Sequence, residues 1–425
     1  KMLFPFVLLL SLTGMLKAQV TTAGMSGKVM ADEESVIGAT VVAVHEPSGT
    51  SYGTVTNVDG RFSLQGMRSG GPYKVTVSYI GYQTAIYTGI QLQLGETYSL
   101  NVTLHEASEL LGEITITASK SKFSAEKTGA TTNISSEQLT TLPSINRSIS
   151  DFTRISPYAS GNSFGGRDGR SNTFTVDGAN LNNNFGLSSG LPGGGNPISL
   201  DAIDEVQVVI APYDVRQANF IGAGINAITK SGTNAYRGSA YMYFNNEVMR
   251  GNKIGDTDFG VRAEESKTVY GATFGGPIIK DKLFFFANVE YEKSPQQVIT
   301  WRAAKEGETP NNSTISRTTE ADLAEFSQIL KDKYRYNTGS FTDFPADVTN
   351  LKLLGRIDWN INQGNKLSVR YNFTNNKTWE APNGSSGNTG YRLAYNRVSA
   401  YSMSYANSCY SLQNIVNSAT AELNS

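Results

Sequence analysis

In the second half of the chain, apolar and polar residues alternate one by one over runs that leave almost no choice of secondary structure. Leu353, Gly355, Ile357, Trp359 and Ile361 fall on one side of such a run, and Arg356, Asp358, Asn360 and Asn362 on the other. Period two sends successive side chains to opposite faces of an extended strand, and a helix would scatter the same residues around its circumference. After Gln363-Gly364-Asn365 the pattern restarts, with Leu367, Val369, Tyr371 and Phe373 opposing Lys366, Ser368, Arg370 and Asn372. Leu283, Phe285, Ala287, Val289 and Tyr291 likewise oppose Asn288, Glu290 and Glu292, although Phe284 and Phe286 break the polar face at its start. Each run matches the ~9–11 residues of a tilted strand crossing a bilayer. The same alternation also suits a soluble sandwich wet on one side. Connection lengths separate the two, because short links at 277–282 and 363–365 alternate with long ones at 246–266 and 294–350. Bacterial membrane barrels have this asymmetry, with short periplasmic turns and long outer loops. In the longest loop, Thr319 caps an expected helix to Tyr334 with Leu323, Phe326, Ile329 and Leu330 on one side. It is either a lid or, the favoured expectation, loop packing.

Composition narrows the function. With 36 Lys+Arg against 37 Asp+Glu, the net charge of -1 offers no field to gather nucleic acid, which is not expected as a partner. One cysteine, Cys409, allows no internal disulfide, and two histidines, His45 and His105, supply too little for a zinc site or an imidazole-based active centre. No catalytic residue, metal site or cofactor is expected, and the chain is not expected to be an enzyme. The apolar run Leu3–Leu12 followed by Leu16-Lys17-Ala18 predicts a signal peptide over residues 1–18, since the run is far short of the ~20 residues of a spanning helix.

Residues 19–106 hold short β-rich runs parted by turns, at Gly38–His45, Thr50–Thr56, Arg61–Leu64, Tyr73–Tyr79, Gln83–Leu92 and Thr97–Leu104. Regular spacing of this kind predicts a sandwich, with Asp59-Gly60 as a hairpin turn. Asn57, Asp59 and Gly60 bring too few carboxylates for a calcium cage. Residues 107–120 read as a linker around the β-prone strip Glu113, Ile114, Thr115, Ile116 and Thr117, an edge strand of whichever neighbour it joins. Residues 121–234 mix the two classes. Ser135 caps an expected helix to Leu142, and Ile145, Ile149, Phe152 and Ile155 form the stripe of a second, closed by Pro157. Strands are expected at Thr173–Val176, Glu205–Ile210 and Asn226–Lys230. Gly165-Gly166-Arg167-Asp168-Gly169-Arg170 lacks the Gly-Lys-Ser/Thr ending of a phosphate loop, and no strand feeds it.

Several of these segments carry resemblances. Gly38–Thr56, Asp59-Gly60-Arg61-Phe62 and Tyr79-Ile80-Gly81-Tyr82 resemble the carboxypeptidase regulatory-like domain, a transthyretin-like sandwich. The motif from Arg170 through Asn172, Val176, Asp177 and Gly178 looks like the plug segment of TonB-dependent outer-membrane receptors. Ile203-Asp204-Glu205-Val206-Gln207-Val208 to Pro212, and then Gly222, Gly224, Asn226, Thr229 and Lys230, look like the two plug motifs that follow it. Ala211–Gln217 points to the Oar-like branch, although Ile210-Ala211 stands where Arg-Gly is commoner before the proline. The resemblance implies a mainly β chain: a periplasmic transthyretin-like β-sandwich, an α+β plug domain (121–234), and the first strands of an antiparallel transmembrane β-barrel (235–425). About six strands can be counted against the ~22 of the plugged barrels, so a fragment is expected. The resemblance further implies an outer-membrane location in contact with lipid. An extracellular ligand, whether peptide, glycan or chelated metal, would be imported by energy-coupled plug movement, with the TonB energy coupler adding a strand at Glu113–Thr117. Arg356, Asp358 and Arg370 then either hold the plug, line the passage, or belong to solvated wall. An outer-membrane adhesion or assembly protein that moves nothing is the rival.

Overall fold

The computed structural model describes residues 20–31, 34–106, 114–117 (backbone only), 130–144, 147–182, 196–212, 217, 220–249, 251–258, 265–295, 298–299, 301–311, 314–381 and 403–425. The expected signal peptide, Glu113, Ile145 and residues 213–216 lie outside them.

The first unit is a two-sheet sandwich. One sheet is built on β1 (Ala23–Ala31), and the other takes β2 (Thr40–His45), β3 (Thr50–Val55), β5 (Gly70–Ser78) and β6 (Ala85–Leu92). In the first sheet β4 (Arg61–Met67) lies antiparallel to β1, and β7 (Thr97–Ser99) and β8 (Val102–Leu104) lie parallel to it. The inward set of each strand, among them Met25, Val29, Phe62, Val75, Val77 and Ile90, forms one buried core. A single strand was expected over Thr97–Leu104, but it breaks at Leu100-Asn101. There Leu100 donates its N–H to Ser26 and the Asn101 side chain accepts from the Lys28 N–H, so side chain and backbone share the ladder. β9 (Ile114–Thr117) completes the second sheet, parallel to β6, in the order β9-β6-β5-β2-β3.

The central unit is a mixed sheet of β10 (Thr131–Ser135), β11 (Thr173–Val176), β12 (Ile203–Val209) and β13 (Gly224–Thr229), ordered β10-β12-β13-β11. Only β11 and β13 run parallel within it. Ser135 caps α1 (Ser136–Thr141) through a capping box with Gln138. The second helix is shorter than the stripe predicts: α2 covers Ile149–Thr153, and Ile155 is exposed. Pro157 disfavours helical geometry at Ser156, and a turn follows instead.

The third unit is a six-stranded antiparallel meander: β14 (Arg237–Asn246), β15 (Ser266–Ile279), β16 (Leu283–Lys293), β17 (Thr349–Asn360), β18 (Lys366–Glu380) and β19 (Tyr410–Asn424). Each strand pairs with its neighbour in sequence, and tight turns alternate with long connections as expected. The long connection before β17 carries α3 (Glu320–Tyr334), capped by Thr319 and Asp322. The helix packs through Phe326 on Tyr405 (6.4 Å between ring centroids), and Tyr405 donates to the Leu323 carbonyl at 2.7 Å.

The meander's two faces differ as the alternation predicts. Val289, Leu353, Ile357, Trp359, Val369 and Tyr371 are each about 40–50% exposed, whereas Glu290, Lys352, Asp358 and Asn372 on the other face are buried. Phe284 and Phe286, which interrupt the polar face, are buried too, and Phe286 joins Leu354 in the core of the central unit. The break in alternation is thus a contact with a neighbouring unit. Phe286→Ala is expected to cost about 3–5 kcal/mol, while Val289→Ala on the exposed face costs far less. Thermal unfolding of the two variants in detergent micelles checks the difference.

Candidate functional site

The seam between central unit and meander is built from opposed buried charges. Asp177 and Gly178 form a tight turn after β11 with φ of 47° and 82°, a left-handed conformation that Asp and Gly adopt most readily. That turn aims the Asp177 carboxylate at β13, where it accepts from the Thr229 N–H at 3.0 Å and the Thr229 hydroxyl at 2.6 Å. On the far side, the Thr229 carbonyl accepts from Arg356 at 2.6 Å. Arg356 also forms a two-pronged pair with Asp358, at 2.8 and 3.0 Å, and stands 3.8 Å from Asp177. Arg370 reaches Asp177 at 3.6 Å and Glu422 at 2.9 Å. Two of the three wall residues singled out from the sequence, Arg356 and Arg370, therefore meet the Val-Asp-Gly turn, Asp358 holds Arg356, and none is solvated wall: Arg356, Asp358 and Arg370 are 8%, 1% and 6% exposed. A buried charge is tolerated only when paired and hydrogen-bonded, so each group here requires its neighbour.

A second polar contact lies along the same seam. Lys352 pairs with Glu290 at 2.8 Å, and Glu290 accepts from Ser199 at 2.7 Å and Tyr241 at 2.9 Å. Arg147 of the central unit pairs with Asp201, and its guanidinium lies 3.7 Å from the centre of the Tyr243 ring, where the ring quadrupole favours a cation. Thr374 of β18 donates to the Pro197 carbonyl at 2.6 Å. Tyr241 crosses its neighbouring strand directly over Gly271, where any Cβ would strike the ring.

The other motif residues serve the central unit itself. Arg170 is exposed and pairs with Asp168 at 2.9 Å, away from the seam. Asn172 accepts from the Ala223 N–H at 2.9 Å, and its amide fills the space beside Gly222. Gly224 lies against the Phe220 ring, and Asn226 accepts from Thr175 at 2.7 Å. Val176 and Val206 are core, Lys230 ties its N–H to Ala202, and Pro212 follows the end of β12 half-buried.

Glu205 faces the sandwich. Both of its carboxyl oxygens lie 3.1 Å from the Leu94 N–H, and the Leu94 carbonyl accepts from Gln207 at 2.5 Å and Asn133 at 3.3 Å. Burial pushes the Glu205 pKa up to about 8, against the opposing pull of the Leu94 N–H. Arg68 reaches the same junction from the sandwich. It donates to Ser231 at 3.0 Å, pairs with Asp358 at 3.4 Å and lies 5.9 Å from the Phe284 ring. His45 is a core group of the sandwich: burial, helped by the Arg68 charge, lowers its pKa to about 3, and Ser48 contacts its Nδ1 at 2.7 Å. Of the strip Glu113–Thr117, Ile114–Thr117 form β9 on the sandwich edge. Sequence reasoning missed Arg68, Leu94, Arg147 and Lys352, and placed Glu290 only on a polar strand face. The charges on the inward positions of β16 and β17 were visible, but their partners in the central unit lie far off in sequence, 91 residues away for Ser199 and Glu290 and 127 for Thr229 and Arg356.

Known proteins share parts of this arrangement. Residues 24–105 match the carboxypeptidase regulatory-like domain, and residues 228–425 match an outer membrane beta barrel domain. The TonB-dependent transporter Oar of Myxococcus xanthus is 25% identical over 344 residues, which are 76% of this chain and 30% of that relative. The chain thus spans about a third of the relative's length. Among solved structures, the siderophore receptor PirA from Acinetobacter baumannii aligns with 58% of this chain and 31% of its own, at 18% identity and a TM-score of 0.38. The outer membrane transporter YddB from Escherichia coli aligns with 59% of this chain and 33% of its own, at 14% identity and a TM-score of 0.40.

Two expectations follow from the seam. Lys352→Met leaves Glu290 buried without its counter-charge and should cost about 3–5 kcal/mol, whereas adding Glu290→Gln to it should recover most of that loss; unfolding midpoints of the two variants make the comparison. For Glu205 the raised pKa means that the folded protein favours the protonated carboxyl. Its contribution is full below the ordinary value of 4.5 and is lost as pH climbs toward 8. Melting temperature should fall over that window, and Glu205→Gln should flatten the fall.

Proposed function

We propose that this chain, an outer-membrane homologue of the TonB-dependent transporter Oar carrying a carboxypeptidase regulatory-like domain and barrel strands, is the front part of an energy-coupled importer whose central unit is the plug. The observation that carries this reading is the seam: Asp177 and Thr229 of the central unit are held by Arg356 and Arg370 on the buried face of strands whose opposite face is apolar and exposed. Such a wall has lipid on one side and a polar filling on the other. Among the described residues the filling is held by ion pairs and hydrogen bonds together with an apolar contact at Phe286, Leu354 and Val416, and the polar part can shift when water or ligand replaces those partners.

Work must arrive mechanically, because the outer membrane has no ATP supply. β9 is the place for it to enter. Among the described residues it is an edge strand, and an edge presents N–H and C=O groups to which a strand of the TonB energy coupler can add. The ligand binds from outside, among the long connections that follow β14, β16 and β18, and no step of the cycle needs a catalytic group. Binding of the coupler's periplasmic domain to the detergent-solubilised protein, with and without Ile114→Pro, tests the reading. Proline removes a backbone donor from the added ladder, so binding should fall at least tenfold. Equal binding by both forms would remove β9 as the docking strand.

A further inference from the structure

We infer that the sandwich lies on the load path between the energy coupler and the plug: the pull enters at β9, crosses to β6, and reaches the plug through Leu94. This rests on the coupler-binding role proposed for β9 and goes beyond it, because an exported chain could be pulled through its linker alone.

Three observations support it. First, β9 is not a loose strip but the terminal strand of a five-stranded sheet, paired in parallel with β6 from Ile114 opposite Ala85 to Thr117 opposite Thr88. Alternate residues of a strand direct their backbone groups to opposite edges, so β9 can hold β6 with one edge and receive a partner strand on the other. Second, β6 ends at Leu92, two residues before the point where the sandwich grips the plug. Leu94 is fully buried in a small cluster with Val20 and Ile228, the latter on plug strand β13. Its N–H and C=O are both taken by side chains of plug strand β12, Glu205 and Gln207. Gly95, with φ of 71°, lets the turn lie flat against Gln207, where a Cβ would clash. Third, the sandwich meets the barrel through single side chains: Arg68 pairs with the buried Asp358 at 3.4 Å, Thr50 contacts Asn360 at 3.0 Å and Thr21 contacts Glu422 at 2.6 Å. At Leu94 the plug instead takes both backbone groups of one residue, two positions beyond the end of β6, so a pull arriving along the chain from β6 loads that grip directly.

The connection from β9 to β10 offers the competing path. Its residues 118–130 span at most ~45 Å when fully extended, so if they bore the load alone the sandwich would be a bystander. A disulfide distinguishes the two. In a Cys409→Ser background, Thr117→Cys with Thr88→Cys staples β9 to β6 at an observed pair. The full-length receptor in nanodiscs is then tested for binding to the coupler's periplasmic domain and pulled through it with optical tweezers. Coupler binding should survive oxidation, and the stapled receptor should give a plug-opening event. Breaking the grip with Glu205→Ala and Gln207→Ala should insert an earlier step of up to ~45 Å as the sandwich leaves first and the connection tightens. Binding lost only on oxidation would show that β9 must leave β6, and would overturn the load path while sparing the coupler assignment. An unchanged trace in the grip variant, with Leu94→Asp as an independent disruption, would also overturn it. No binding by the unstapled receptor would instead strike at the coupler assignment itself.

Discussion

Arg356, Asp358, Arg370, Lys352 and Glu290 all sit on the buried face of strands whose other face is apolar, and each is less than a tenth exposed. Taking an ion out of water costs several kcal/mol unless a counter-charge and hydrogen bonds replace the lost solvation. The strands supply part of that replacement, through Arg356 with Asp358 and Lys352 with Glu290. The remainder comes from outside the sheet, from Asp177, Thr229 and Ser199 of the central unit and from Arg68 of the sandwich. This demand positions the other two units. A meander with these residues and no filling would leave charges and amides open on one face, and the polar positions of the central unit would lack their partners.

Asp358 shows how closely the three units are joined. Its carboxylate is shared by Arg356 on its own strand, Ser368 on the next and Arg68 on the sandwich. Arg68 in turn bonds Ser231, one residue beyond the Lys230 that follows β13. One buried carboxylate thus touches sandwich and barrel directly and the central unit through one intermediary. Displacement of any unit changes the solvation of the same group, which gives the three a physical reason to respond together.

Much of this architecture was legible in the sequence because it depends on period and on local turn chemistry. Strict alternation gave the meander, its register faces and its short turns, and the capping residues Ser135 and Thr319 marked two helices correctly. What failed was local pattern subject to tertiary override. β1 contains Gly24, Ser26 and Gly27 and has little intrinsic strand preference, yet it sits at the centre of its sheet because β4, β7 and β8 all pair with it. Ile155 continues a helical stripe in sequence, but the helix stops before it. Phe284 and Phe286 looked like errors in an alternating strand, and they are explained only by the unit they touch. Arg356, Asp358 and Arg370 were identifiable as inward-facing charges and Glu205 as part of a motif, while Arg68 and the partner of Glu205 were not, since nothing near them in sequence announces a contact more than a hundred residues away.

The balance between polar and apolar contact at the seam bears on how such a filling could move. An apolar core resists displacement because every square ångström exposed costs about 25 cal/mol and nothing in water compensates it. A polar seam is different, since each hydrogen bond broken to protein is exchanged for one to water and the net cost per bond is about 0.5–1.5 kcal/mol. The seam here is polar at Asp177, Thr229, Ser199 and Thr374, with Phe286, Leu354 and Val416 packed on the central core as apolar members. Leu94 forms the opposite kind of contact, an apolar side chain buried with Val20 and Ile228 and flanked by two hydrogen-bonded backbone groups. A force that wets both contacts therefore meets mainly exchangeable hydrogen bonds and ion pairs between the central unit and the meander, and an apolar side chain that water cannot compensate between the sandwich and the central unit.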